Sequence, residues 1–366
     1  MKQYLSIIQS VLPSFTEQLL EAPVKETEID SLDIVVIRVA IEKHFGFEIS
    51  DKEWYQFTTL AEALSYFHSQ NDRIDKGVFD SREISLTREQ EIRMPQMANS
   101  ALSENWLLKE MGDIHWELLS RGLEQKSSEF KDDTGNRLYA TFIRINYSVS
   151  PLSAFLENEI IHLESQIKGF GNNTYYSTVN GNCNEKYIYA NLMTSFSQRE
   201  LNDNAKISKT NPYEKVNYIE QVKNTPESLN EYRLLKKGLL NEITSSDFNF
   251  KIKDDIIATI EYLINPYYEI NGVGLLYFAS YPIIADKCLC DFLKQTQEVK
   301  DFESVYHTVF RDIFYFANCN INDAIEFQLH SIEYPDQNSL ATTSSLFRKR
   351  DNILMAKIFT IKRKAK

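Results

Sequence analysis

Residues 265–279 read NPYYEINGVGLLYFA and residues 94–108 read MPQMANSALSENWLL. Laid over one another without gaps, they match Pro95 with Pro266, Leu102 with Val273, Trp106 with Tyr277 and Leu107 with Phe278. Each leads into an apolar helical pattern and each follows a strand-like run, so the pairing reads as an internal duplication. The first helix is expected to start near Ser103 and run through ENWLLKEMGDIHWELLSRGL, with Leu107, Met111, Ile114 and Leu118 on one face. Gly112 and Asp113 weaken its interior. The second is expected through GLLYFASYPIIADKCLCDFL, apolar around most of its circumference as a buried helix is. Pro282 predicts a kink or a break in its ladder.

Outward from these helices the texture is strand-like. REISLTREQEIRM and DIIATIEYLIN precede the two helices. RLYATFIRINY and YIYANLMTSF follow the first, and DIFYFANCNI, AIEFQLHSIEY and NILMAKIFTIKR follow the second. A long helix wrapped by an antiparallel sheet, occurring twice, is a double hot-dog. The expected class is therefore α+β: two antiparallel sheets, each wrapping a long helix, over 83–245 and 246–366. The polar segment around 200–250 receives no element.

The first seventy residues differ. QYLSIIQSVL places Leu5, Ile8, Val11 and Leu12 at helical spacing. SLDIVVIRVAIEKHF places Leu32, Val35, Val36, Val39 and Ala40 on one face, with Gly46 where a C-terminal stop belongs. A short turn at DKEWYQF precedes TLAEALSYF, where Thr59 and Glu62 form a capping-box pair. These stretches make a four-helix bundle over 1–70, and the polar run through 71–82 reads as a linker.

Of 366 residues, 43% are hydrophobic and the net charge is −12, which argues against duplex nucleic acid or an anionic membrane as partner. Residues 1–72 hold 12 acidic and 5 basic residues, so the excess is concentrated in the bundle. No stretch is long and unbroken enough to span a bilayer, and no secretory signal opens the chain. Cys183, Cys288, Cys290 and Cys319 lack CxxC spacing and the six histidines show no HxxxH pair, so no metal site is expected and the cytoplasm is the simplest compartment.

Asp30-Ser31-Leu32 at a helix start, inside a small acidic bundle, resembles an acyl carrier protein. The resemblance implies 4'-phosphopantetheine on Ser31, attached by a phosphopantetheinyl transferase. A helix N-terminus suits the phosphodiester through its unpaired N–H groups and dipole. By itself, a serine there is also an ordinary helix cap.

From about residue 80, MPQM…LSENWLLKEMGDIHW…GNRLYATF and INGVGLLYFASYP resemble the bifunctional acyltransferase/decarboxylase of leinamycin-type polyketide pathways. This resemblance implies a double hot-dog enzyme acting on methylmalonyl-CoA. It implies an acyl-tyrosine intermediate, decarboxylation, and delivery of propionyl to a carrier used by polyketide synthase and β-branching enzymes. Tyr139, in GNRLYATF, is the tyrosine it points to, with Tyr147 in reserve. Phenol is a weak nucleophile near its usual pKa of ~10 and needs a donor or cation beside it. Arg137 shares the face of Tyr139 by strand parity, and Arg144 falls on the other.

Decarboxylation leaves an enolate, whose oxygen needs hydrogen-bond donors. The backbone around Ser100, Leu102 and Ser103 suits this, as does its counterpart at Asn271, Gly272 and Gly274, which are also the expected substrate-binding residues. The bland reading makes Ser103 a helix cap and lets Gly272 and Gly274 serve close packing. His115, in GDIHW, is a candidate base or a hydrogen-bonded core histidine, and Asp113 a candidate orienting group. No His-rich loop feeds the helix, which counts against a dehydratase. A hot-dog thioesterase clearing the carrier, and a non-catalytic carrier-docking module, are the rival readings.

Overall fold

The computed structural model describes residues 4–13, 15–24, 27, 29, 31–45, 49, 51–74, 83–200, 203–213, 216–245, 248–253, 255–296 and 302–365, with only the backbone of 31–32, 51–52 and 69–74. The chain begins with helices α1 (Leu5–Gln9), α2 (Gln18–Glu21), α3 (Ser31–Phe45), α4 (Asp51–Trp54) and α5 (Leu60–Ile74). Ile8, Phe15, Leu20, Ile37, Ile41, Phe45, Leu60, Leu64 and Phe67 form their common core. The face of α3 turned inward is thus Ile37–Ile41–Phe45, with Ile34 beside it, and not the one containing Val35, Val36 and Val39, which are half-buried. Nearly every position from 34 to 41 is apolar, so periodicity there cannot choose a face. The capping box is present: Thr59 N–H donates to Glu62 Oε2 and Glu62 N–H to Thr59 Oγ1, both at 3.2 Å. Helix α5 continues to Ile74, past the start of the expected linker. Asp30, Gly46 and residues 75–82 lie outside the described residues.

The remaining elements are β1 (Ile84–Glu91), β2 (Met97–Ala98), β3 (Ala101–Leu102), α6 (Glu104–Gly122), β4 (Tyr139–Val149), β5 (Ile160–Phe170), β6 (Thr174–Cys183), β7 (Lys186–Arg199) and β8 (Ile207–Lys209). Next come α7 (Glu227–Lys236), β9 (Glu242–Thr244), β10 (Asn249–Lys251), β11 (Ala258–Leu263), α8 (Pro266–Glu269), α9 (Ser280–Thr296) and α10 (Phe302–Val305). The chain closes with β12 (Tyr306–Tyr315), β13 (Ala324–Asp336), β14 (Ser339–Arg348) and β15 (Ile353–Lys364).

Each half is a strand, a long helix and four strands, laid side by side in the same spatial order. The first half runs β1-β5-β6-β7-β4 and the second β11-β13-β14-β15-β12. The hot-dog plan therefore occurs twice. Its two sheets run on into one another, because β4 pairs antiparallel with β12 from Arg144↔Phe314 to Ser148↔Phe310. The halves even share a bulge: β4 carries an extra residue between Phe142 and Arg144, and β12 one between Thr308 and Phe310. Both extra residues, Ile143 and Val309, pack on the outer face.

The approaches to the two helices are equivalent hairpins, although not in the gapless register. Pro95 and Pro266 both open a short helical turn. Ser103 N–H then donates to the Gln96 carbonyl at 2.8 Å, and Tyr277 N–H to the Glu269 carbonyl at 2.7 Å. Tyr277 is thus the counterpart of Ser103 and not of Trp106; the second approach carries three extra residues. Helix α6 is continuous through Gly112, and Pro282 falls in the first turn of α9, where a missing N–H breaks no ladder. No kink follows.

Helices α6 and α9 cover one face of the sheet, over a large core. The polar segment covers the other. Leu229, Tyr232 and Leu235 of α7, with Ile243 and Phe250 of the β9–β10 hairpin, pack on Ile143, Val309, Phe310, Phe314 and Phe359. The residue 245/246 division expected between halves falls inside that hairpin.

Candidate functional site

A cavity of about 610 Å³ opens where the start of β4 and the end of β12 meet the hairpin before α9. Aromatic rings build one wall. Phe278 lies 4.4 Å from Phe142 and 5.7 Å from Trp116 between ring centroids, and stacks on Tyr277 at 5.0 Å. Gly112 permits this: a Cβ there would stand 2.5 Å from Phe278 Cζ, so a side chain on α6 would push the ring out. The hairpin is held by Asn318, whose Oδ1 accepts from Leu276 N–H at 2.9 Å and whose Nδ2 donates to the Leu276 carbonyl at 3.1 Å.

Five tyrosines line the cavity: 139, 232, 277, 281 and 315. Three are committed to backbone carbonyls. Tyr232 donates to Tyr315, Tyr281 to Ala317 and Tyr315 to Phe278, at 2.9–3.1 Å. Burial pushes all three well above the ordinary phenol range. Tyr277 is also raised by burial, with Asp113 adding to it. Tyr139 differs. It is half-buried, and the guanidinium carbons of Arg137 and Arg199 each lie over its ring, 5.3 Å from the centroid. Among the described residues its hydroxyl makes no hydrogen bond.

Sequence reasoning missed Arg199. It sits at the end of β7, sixty residues from Tyr139, and only the β4–β7 register, Tyr139↔Ser197, brings it near. Its Nη2 donates to the Val273 carbonyl at 2.6 Å, tying the tyrosine to the hairpin. Ser195 and Thr141 line the cavity too, and the buried Ser195 hydroxyl has no partner among the described residues.

Asn271 and Gly272 lie in the cavity wall with Tyr139, so the structure brings these three together. Asn271 Oδ1 accepts from Val273 N–H at 3.1 Å and Leu275 N–H at 3.0 Å. Those two donors fix the orientation of the carboxamide and leave its NH2 as the end available to a ligand. Gly274 has φ +84°, which favours glycine at this turn, and its carbonyl accepts from Asn204 Nδ2 at 2.5 Å. Its place is in the turn and not in the cavity wall.

Ser103 and His115 do not reach the cavity. Ser103 caps α6, its Oγ accepting from Trp106 N–H at 3.3 Å. His115 is fully buried between Ser177 Oγ at 2.7 Å and Thr194 Oγ1 at 2.8 Å, and burial pushes its pKa down to about 3. A neutral imidazole sealed between two hydroxyls is a core residue. Asp113 instead pairs with Arg88 at 2.9 Å on the helix exterior.

The pseudo-equivalent position, by the end of β4, the start of β12 and the first turn of α6, is filled with charge. Arg311 is fully buried, pairing with Glu104 at 2.7 Å and Asp286 at 2.7 Å. Lys362 adds a 2.8 Å contact to Asp286, and Thr308 donates to Glu104 at 2.7 Å. Desolvation would raise both carboxyls, but Arg311 and Lys362 hold them below their usual range. Tyr147 donates its hydroxyl to Glu104 and is pushed well above the usual phenol range by burial and that carboxylate. It is no reserve nucleophile. Arg144 lies on the outer face, paired with Asp312 and Glu231, both at 2.6 Å. The bulge at Ile143 reverses the parity of β4, so Arg144 shares the face of Tyr139 and does not fall on the other.

No helix among the described residues is long and apolar enough to cross a membrane. The sheet domain is similar in fold to the 12:0-ACP thioesterase of Umbellularia californica, with a TM-score of 0.51 at 10% identity over 77% of this chain and 95% of that one. It is also similar to a protein described as an oleoyl thioesterase from Lactobacillus plantarum, with a TM-score of 0.54 at 12% identity over 79% of this chain and all of the other. The phosphopantetheine attachment site family matches residues 5–67. The mitochondrial acyl carrier protein of Dictyostelium discoideum is 50% identical over 42 residues, 12% of this chain and 35% of that protein. The acyl carrier protein of Buchnera aphidicola is 31% identical over 74 residues, which are 20% of this chain and 94% of that protein. A carrier of this kind holds 4'-phosphopantetheine covalently, and the start of a fifteen-residue helix at Ser31 offers the N–H groups and dipole that suit its phosphodiester. Through this N-terminal region the chain belongs to the acyl carrier protein family.

Proposed function

We propose that the chain is a decarboxylating acyltransferase fused to its own carrier, with Tyr139 as nucleophile and Ser31 as the attachment point of the arm. The substrate is methylmalonyl-CoA, as the resemblance of residues 80–366 implies. Tyr139 Oη attacks the thioester carbonyl, the C–S bond breaks, and the departing thiolate takes the phenolic proton. The bond between the α-carbon and the carboxylate then breaks, carbon dioxide leaves, and its electron pair forms an enolate that a water proton quenches to propionyl. Once attached, the arm supplies the thiol that attacks the propionyl ester; the bond between Tyr139 Oη and the acyl carbon breaks, and the departing phenolate takes the thiol proton. Arg137 and Arg199 hold the Tyr139 ring in place, and the Asn271 NH2 and the Ser195 hydroxyl are the donors available to the enolate oxygen.

One observation carries the reading. Among the described residues the cavity is lined by hydroxyl, amide, guanidinium and ammonium groups, with no Asp, Glu, His or Cys. Hydrolysis needs a base to activate water. Loss of carbon dioxide needs none, and a tyrosine between two cations suits acyl transfer better than it suits general-base catalysis. The thioesterases of similar fold act by name on acyl groups, one of them on an acyl carrier, which fits a thioester substrate.

The test is intact-protein mass spectrometry of the phosphopantetheinylated chain incubated with methylmalonyl-CoA. The carrier peptide should gain a propionyl mass, lost in Ser31→Ala and reduced at least ~1000-fold in rate in Tyr139→Phe, as when a nucleophile is removed. An addition that survives Tyr139→Phe refutes the tyrosine. Release of free acid with an empty carrier points to a thioesterase, and saturable binding without turnover to a docking module.

A further inference from the structure

Helix α7 belongs to two places at once. Tyr232 and Lys236 line the cavity, while Leu229 and Leu235 anchor the helix in the outer-face core. On the same helix Arg233 is only 4% exposed, and the charged side chains acting on it are Glu42 and Arg38 of the carrier helix α3. Immediately before α7, Thr225 Oγ1 donates to the Lys43 carbonyl at 3.2 Å. On the carrier side Glu42 is 1% and Arg38 9% exposed. Arg38 donates to Glu42 Oε1 at 2.8 Å and to the Ile49 carbonyl at 2.6 Å, and its guanidinium lies 5.4 Å from the Trp54 ring centroid. Among the described residues, a carboxylate of the carrier thus lies in the field of two guanidinium groups, one from each domain. Burial of Arg233 pushes it down to about 10, opposed by Glu42 and reinforced by Arg38. Such a buried charge needs its carboxylate, and its removal leaves a cation out of water.

We propose that α7 is the recognition helix by which the catalytic body selects its own carrier. It reads the C-terminal end of α3 with Arg233 and Thr225 and forms part of the cavity wall with Tyr232 and Lys236. Docking through Glu42 and Lys43 leaves the start of α3 some 17 Å away along the helix, at about 1.5 Å per residue. The partner is defined by its chemistry: a carrier helix that ends in a buried carboxylate and an exposed backbone carbonyl one residue later. Because the helix that docks the carrier also walls the cavity, docking holds the carrier beside the site.

Hydrogen exchange on the full-length chain tests this without reference to the reaction. Arg233→Glu and Thr225→Arg should each speed exchange of the amides in 38–45 and 225–236 by tenfold or more, with β12 as protected as in the parent chain. The swap Arg233→Glu with Glu42→Arg should recover the protection. If Arg233→Glu loosens β12 as well, Thr225→Arg, which changes a surface position, decides. Unchanged exchange in that variant overturns the docking site. A second measurement rests on the function proposed above: loading of the fused carrier should fall about tenfold in Thr225→Arg, with acylation of Tyr139 unaltered. Acylation that falls equally refutes carrier selection by α7. A chain that acylates no tyrosine, yet shows the exchange changes, removes the reaction and keeps the docking site.

Discussion

The two pseudo-equivalent ends of the central β4–β12 pair have opposite contents. One is a cavity of about 610 Å³ with hydroxyls, amides and cations on its wall; the other holds an ion network of Glu104, Arg311, Asp286 and Lys362. Strand order and bulge occur in both halves, and the hairpin leading into the helix differs by three residues that widen it on the cavity side. Side chains differ too. Arg311 faces the helices from the strand position matched, bulge for bulge, by Ile145. A guanidinium where the other half has an aliphatic residue, with two carboxylates to hold it, makes this end an ion-paired strut.

The comparison breaks most visibly at that strut. Arg311→Met should cost about 3–5 kcal/mol, because Glu104 and Asp286 are left buried with Lys362 as their remaining cation. Urea unfolding measures it, and a loss below ~1 kcal/mol would show the network to be dispensable. On the open side, Asn271→Ala should slow carrier loading about 100-fold, the scale of losing one oxyanion donor. An unchanged rate would remove Asn271 from the site.

The pH profile separates the sides further. His115 is neutral when folded and protonated below ~6.5 when unfolded, so the unfolded chain binds the extra proton. Stability therefore falls with decreasing pH between 6.5 and about 3, by about 1.4 kcal/mol per pH unit from this residue. His115→Gln should flatten that slope between pH 6.5 and 5 in unfolding titrations, and leave the loading rate at pH 7 unchanged. A slope that persists would mean that other groups set it. Smallest of all, Ser103→Ala should lower stability by ~1 kcal/mol as a lost helix cap does. It should not touch the rate, and a rate loss like that of Asn271→Ala would make the two helix approaches chemically alike after all.

Much of this was legible in the chain itself. Repeated strand–helix–strand order identified the doubled fold, and Thr59–Glu62 marked the start of α5 correctly. The gapless overlay of the two helix approaches failed because three inserted residues are absorbed by a short helical turn and a wider hairpin, which leave no trace in periodicity. The segment over 200–250 gave no pattern because its apolar residues (Leu229, Tyr232, Leu235, Ile243, Phe250) are split between a helix and a separate hairpin. At the site, Tyr139, Asn271 and Gly272 could be named from motifs. Arg199 could not, since its nearness is a property of strand register, and nothing local to His115 separates a core imidazole from a base.

The β4–β12 pairing carries one more implication. Two identical hot-dog subunits meeting at this edge would obey a rotation axis, and every residue at one end would recur at the other. An arginine that plugged one end would plug both. Joining the halves in one chain lifts that constraint, so each end is free to drift on its own. The strut at Arg311 is what such freedom permits: an ion network at one end and a cavity at the other.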